Sequence, residues 1–93
     1  MLELRPSCEH CGKGLPNEAP DAMICAFECT FCTTCVHDVL HDVCPNCGGG
    51  FERRPTRPKA WLEKHPASVT EVRSTVVENA FLEANRGVDP RKR

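Results

Sequence analysis

Eight cysteines fall within residues 8–47 of this 93-residue chain, arranged as four close pairs. Cys8 and Cys11, Cys32 and Cys35, and Cys44 and Cys47 are separated by two residues, and Cys25 and Cys29 by three. The gaps between successive pairs are 13, 2 and 8 residues. A pair at this spacing brings two sulfurs to one metal from a single tight turn, and four thiolates close one tetrahedral zinc site. Eight thiolates therefore suggest two closed zinc sites. Catalytic zinc keeps an open position and usually takes histidine or carboxylate ligands, so hydrolytic chemistry is disfavoured.

Two other uses of the thiols stay open. Disulfides require an oxidising compartment. The opening Met1-Leu-Glu-Leu-Arg-Pro6 has neither the apolar stretch nor the small-residue cleavage site of a signal peptide, and no apolar run is of membrane-spanning length. The expectation is a cytoplasmic protein with reduced thiols. Iron–sulfur ligation is the other rival, since Cys25-x3-Cys29-x2-Cys32-x2-Cys35 is a ferredoxin spacing in reverse. That reading leaves the outer pairs without a use. His37 and His41, four apart, read as solvent-facing rather than ligating. His10 is not needed beside Cys8 and Cys11, and His65 before Pro66 is uninformative.

The elements that must position these thiols follow from local sequence. Cys8-Glu-His-Cys11-Gly12 and Cys44-Pro-Asn-Cys47-Gly48 read as zinc-knuckle turns, in which backbone N–H groups face the sulfurs and glycine accepts the positive φ. Pro45 pre-sets the second turn. Val36, Val39, Leu40 and Val43 recur at helical spacing, which predicts a short helix over 34–42 with Cys35 at its start. Ala22 to Phe27 and Thr30-Phe31 predict a short hairpin around Cys25 and Cys29. The segment between Cys11 and Cys25, with Pro16, Asn17 and Pro20, reads as a loop.

The first 50 residues hold few large apolar side chains, chiefly Leu15, Met23, Ile24, Phe27, Phe31, Val36, Val39, Leu40 and Val43. Such a core cannot offset chain entropy unaided. A structural zinc contributes on the order of 10 kcal/mol, so the metal is expected to be part of the fold. Charge divides along the same line. Residues 1–50 carry two basic and seven acidic side chains, residues 51–93 ten basic and six acidic. Two dications on eight thiolates make the first half more negative still, a poor partner for a phosphate backbone.

The order of pairs, with Phe31 before the fifth cysteine, Val36 after the sixth and Pro45 after the seventh, resembles a RING finger with cysteine at the fourth ligand position. The resemblance covers residues 8–47 and implies a cross-brace. One zinc would be held by Cys8, Cys11, Cys32 and Cys35, the other by Cys25, Cys29, Cys44 and Cys47. LIM domains share the crowded middle run but bind sequentially, with longer gaps. RING fingers that recruit ubiquitin-conjugating enzymes use an apolar residue between the first two ligands and a basic one past the last. His10 and Gly48 stand there, so ligase activity is not expected. The chain is also similar to a family of small bacterial proteins catalogued as domain of unknown function 1272. The matching stretches are Met1–Pro6, Ile24–Cys32, Cys44–Gly49 and Arg53–Pro58.

The domain reading is a RING-like two-zinc module over 1–50, a basic proline-containing linker over 51–67, and an amphipathic helix with a basic tail over 68–93. The strip 53–59 is expected to be extended, without sheet or helix, and either solvated or lying along the acidic module. A helix is predicted over about 69–85. Val69, Val72, Val76, Val77, Ala80, Phe81 and Ala84 share its apolar face, and Gly87 lies past its end. It would dock on the module or on a second chain, with Trp61 and Leu62 near the contact. The fold class is a small zinc-stabilised α+β module with a C-terminal helix. The functional expectation is a non-catalytic adaptor that binds another protein, with a homodimer through the helix as a further reading. The alternatives are a nucleic-acid-binding regulator using the basic strip, and a redox- or zinc-responsive switch.

Overall fold

A computed structural model describes residues 1–74 and 79–93. Strands β1 (Ala22–Ile24) and β2 (Thr30–Cys32) form the predicted hairpin, with Met23 opposite Phe31. Helix α1 (Thr33–Asp38) leaves β2 directly, with Cys32 as its extended N-cap residue. No side chain caps α1. Thr33 instead ties the start to the preceding loop, its N–H and Oγ1 both donating to Asp21 O at 2.9 and 3.1 Å. A third strand, β3 (Glu52–Arg53), pairs antiparallel with β1, giving the sheet order β2-β1-β3. Single helical turns follow at α2 (Lys59–Leu62) and α3 (Leu82–Asn85), and a 3-10 turn at Pro90–Lys92.

The core gathers Leu15, Ala22, Phe31, Val36 and Leu40 around buried cysteines. Phe51 reaches this cluster edge-on, its ring 5.6 Å from that of Phe31. Two apolar residues counted from sequence are exposed instead. Phe27, at the hairpin tip, is 72% exposed, and Val39 is exposed as well.

Three expectations are corrected. Helix α1 ends at Asp38 rather than at 42. Leu40 and Val43 must both turn inward, and the backbone reverses through His41 and Asp42 at φ 49° and 61° to deliver Cys44. The strip 53–59 is not free of regular structure, because Arg53 ends β3 and Lys59 begins α2. The continuous helix over 69–85 is replaced, among the described residues, by an irregular segment through Ser74 and the single turn α3. Val69, Thr70 and Val72 are β-branched and weak helix formers. The N–H groups of Ser68 and Ser74 donate instead to Leu4 O and Glu9 O on the module, both at 2.9 Å. Residues 75–78 of the predicted helix, Val76 and Val77 among them, lie outside the described residues. Val69 is 94% exposed. Trp61 is 54% exposed and stacks on His65. Among the described residues no helix is long and apolar enough to cross a membrane.

Candidate metal centre

The two glycine-ended pairs fold into matching turns. Gly12 N–H donates to Cys8 O at 3.0 Å and Gly48 N–H to Cys44 O at 2.8 Å. Each turn is closed by the N–H of its first cysteine, Cys8 to Lys13 O and Cys44 to Gly49 O, both at 2.9 Å. Gly12 and Gly48 both take φ 78°, a conformation that L side chains rarely adopt. The same local sequence logic therefore gives the same turn twice. The Cys25–Cys29 pair is built differently, on the β1–β2 connection, with Cys25 N–H donating to Cys29 O at 3.1 Å and Glu28 at φ 65°. Cys32 and Cys35 sit at the strand-to-helix junction.

These four frames bring the thiols into two groups. Cys8, Cys11, Cys32 and Cys35 have sulfurs all within 4.8 Å of one another, and so do Cys25, Cys44 and Cys47. Cys29 does not meet that mutual limit with the second group. Its Sγ accepts from Nδ2 of Asn46, inside the fourth pair, at 3.4 Å. All eight cysteines are free, and most are buried, with Cys11 exposed and Cys47 half-buried.

The donor set fits a thiolate-bound metal. Sulfurs about 2.3 Å from a tetrahedral zinc lie about 3.8 Å apart, and Cys11 Sγ and Cys32 Sγ are separated by 3.8 Å. Backbone N–H groups point at sulfurs, Phe27 to Cys25 at 3.3 Å, Asn46 to Cys44 and Gly49 to Cys47 both at 3.4 Å. Such donors stabilise negative charge on sulfur. The thiols also perturb one another. Hydrogen bonds from Cys29 and Cys44 hold the Cys25 thiol down to about 3, while the contacts with Cys25 and Cys29 push Cys44 up. Burial pushes Cys35 up. Thiols this crowded cannot all ionise together unless a cation joins them.

The histidines stay outside both groups. His37 Nδ1 lies 3.4 Å from Asp42 Oδ1 on the surface, and His41 belongs to no metal-ligating group among the described residues. His10 Nδ1 is 3.3 Å from Cys35 Sγ, beside the first group without being part of it.

Several residues around the centres were not singled out from the sequence. Glu9, between Cys8 and Cys11, is 1% exposed and accepts from Arg5 Nη1 at 2.7 Å, from Ser74 Oγ at 2.7 Å and from Thr30 N–H. Arg54, read as part of a basic strip, is 3% exposed. Its guanidinium donates to three carbonyls, Arg5 O at 3.0 Å, Leu15 O at 2.9 Å and Pro16 O at 2.7 Å. Arg57 is likewise engaged, with His65 O at 2.7 Å and, through its backbone N–H, with Asn17 Oδ1 at 2.8 Å. Two arginines of the strip thus join the amino-terminal loop to the chain after the sheet.

Residues 1–57 match the family described as protein of unknown function (DUF1272). The chain is 56% identical over 72 residues to a protein of Rhizobium meliloti (strain 1021) named uncharacterized protein R02474. That alignment covers 77% of this chain and 86% of the other. No solved structure matches the chain. The family match takes in every cysteine together with Arg54 and Arg57, and on it the chain belongs to the DUF1272 family.

Proposed function

We propose that this protein is a non-catalytic, cytoplasmic two-zinc module with a RING-like cross-brace, acting as an adaptor that binds another protein. The observation that carries the reading is the grouping of Cys8 and Cys11 with Cys32 and Cys35, while Cys44 and Cys47 group with Cys25. Pairs one and three and pairs two and four interleave along the chain, which supports the cross-braced pairing with Cys29 completing the second set. A set of four thiolates leaves a metal no open position for substrate, which supports a structural role. Zinc is favoured over iron because the two glycine-ended turns each deliver a pair of sulfurs to a separate group.

The engagement of Arg54 and Arg57 with carbonyls supports a protein-binding role over a nucleic-acid-binding one, since these cations are not presented on a free face. Elemental analysis of protein purified without added metal tests the metal reading, with two zincs per chain expected. Iron with visible absorbance would overturn it. Affinity capture from lysate with zinc-loaded full-length protein, compared with the chelated protein, tests the adaptor role. A defined protein retained only by the zinc-loaded form is expected. Capture of nucleic acid, lost steeply on adding salt, would favour the alternative regulator.

A further inference from the structure

Asn46 sits inside the fourth cysteine pair, on the surface, and its amide group faces two other parts of the molecule. One contact runs from Nδ2 to Cys29 Sγ at 3.4 Å, the other from Nδ2 to Ser74 Oγ at 3.0 Å. Both N–H groups of the amide are therefore used. Ser74 Oγ donates onward to Glu9 Oε1 at 2.7 Å, and Ser74 N–H donates to Glu9 O at 2.9 Å. Glu9 is in turn tied to Thr30, the residue after Cys29: Glu9 N–H donates to Thr30 O at 2.9 Å, and Thr30 N–H donates to Glu9 Oε2. A continuous hydrogen-bonded path thus runs from the first knuckle turn, through the carboxy-terminal segment, to Cys29.

Cys29 is the one cysteine outside the two mutually close sets. A side-chain donor on such a sulfur both orients it and lowers the cost of its negative charge. The first group has all four sulfurs gathered, whereas the hydrogen bonds of Asn46 go to Cys29, Cys44 and Ser74. We propose that Asn46, held by Ser74, is the positioning residue that sets Cys29 as the fourth ligand of the second metal site. Docking of the segment around Ser74 then controls how firmly the second site keeps its metal and leaves the first site unchanged. The inference rests on the two-zinc reading above and deepens it, since anything that lifts this segment becomes a signal for release of one metal. Linkage makes the coupling reciprocal, so loss of the second metal loosens Ser74.

The test follows zinc transfer from the full-length, zinc-loaded protein to a chromophoric chelator. Wild type is compared with Asn46→Ala and Ser74→Ala. Asn46 is exposed, so its truncation leaves the core intact. Asn46→Ala is expected to release one of two equivalents at least about 10-fold faster, as loss of a donor to a metal ligand typically does. Ser74→Ala is expected to speed the same equivalent by a smaller factor, about 3-fold, because the donor remains and only its orientation is lost. The other equivalent should leave at the wild-type rate in both. Acceleration of both equivalents alike, or of neither, overturns the proposal, as does a Ser74→Ala protein indistinguishable from wild type. Amide exchange at Ser74 supplies a second readout, faster once one equivalent is extracted, and unchanged exchange there also counts against it. A wild-type protein holding fewer than two zincs would instead overturn the two-site reading itself.

Discussion

Residues 1–58 and residues 59–93 are held in place by different physics. The first region contains every buried residue among those described: an apolar cluster, two groups of thiols, and the buried charges of Glu9 and Arg54. The second has no buried residue among those described and is attached largely through polar contacts, with the Phe81 and Pro90 rings lying close against Gly48 and Gly50. Arg73 reaches His10 O at 2.7 Å, Asn79 reaches Val43 O at 3.1 Å, and Asn85 and Arg93 both reach Gly48 O, at 3.0 and 3.2 Å. Its acceptors are largely the carbonyls that the knuckle turns leave facing outward. Burial of apolar surface scales with area and resists local opening, whereas exposed hydrogen bonds exchange with water and contribute about 1 kcal/mol each. The first region should therefore unfold as a unit, and the second should open piecemeal.

Metal removal should separate the two regions most. With a structural zinc contributing on the order of 10 kcal/mol, a strong chelator should abolish amide protection through Phe31, Val36 and Leu40. Residues 59–64 should change little. Hydrogen exchange with and without chelator checks this, and a core that stays protected without metal would break the distinction.

Arg54→Ala should come next. It leaves three carbonyls without their donor at a site 3% exposed, and a loss of about 3 kcal/mol is expected in denaturant unfolding. Arg54→Lys should recover only part of it, because an ammonium cannot present the planar fork. A loss below about 1 kcal/mol would mean that water satisfies those carbonyls.

Glu9→Ala should cost about 2 kcal/mol, since Thr30 N–H loses its acceptor beneath the first knuckle turn. The same unfolding experiment reads it, and a neutral result would show that the polar cluster is solvated.

Within the second region, Asn85→Ala should cost about 1 kcal/mol or less and raise exchange only near Gly48 and Leu82–Asn85. A global loss of protection would show that the two regions are one cooperative unit. The smallest effect is expected inside the first region. Phe27→Ser, at a residue 72% exposed, should shift stability by no more than about 0.5 kcal/mol, so exposure rather than region sets the outcome.

Much of the local architecture was legible because it depends on neighbours in sequence. The glycine after each outer pair specifies the positive φ that closes the turn, and it does so twice with the same hydrogen bonds. The extended stretches around Met23 and Phe31, on either side of the Cys25–Cys29 connection, specify the hairpin. The two-residue strand β3 was not legible, because it exists only through its pairing with β1 and the packing of Phe51 on Phe31. Among the described residues, the predicted helix over 69–85 gave way for a related reason. Its apolar spacing was helical, but β-branched residues weakened the helix and the module offered its N–H groups better acceptors.

By itself the sequence determined that thiols come in pairs, that two pairs close as glycine-ended turns, and that a short hairpin and helix carry the others. Those features are set by torsional preference and side-chain period, which act over a few residues. Only the tertiary structure decided which pairs meet and what the charged residues do. It placed Glu9 and Arg54 inside, opposite donors and acceptors up to 65 residues away, and turned a basic linker into part of the frame. The physical reason is that a buried charge is stable only where its partners converge, and that convergence is a property of the folded chain.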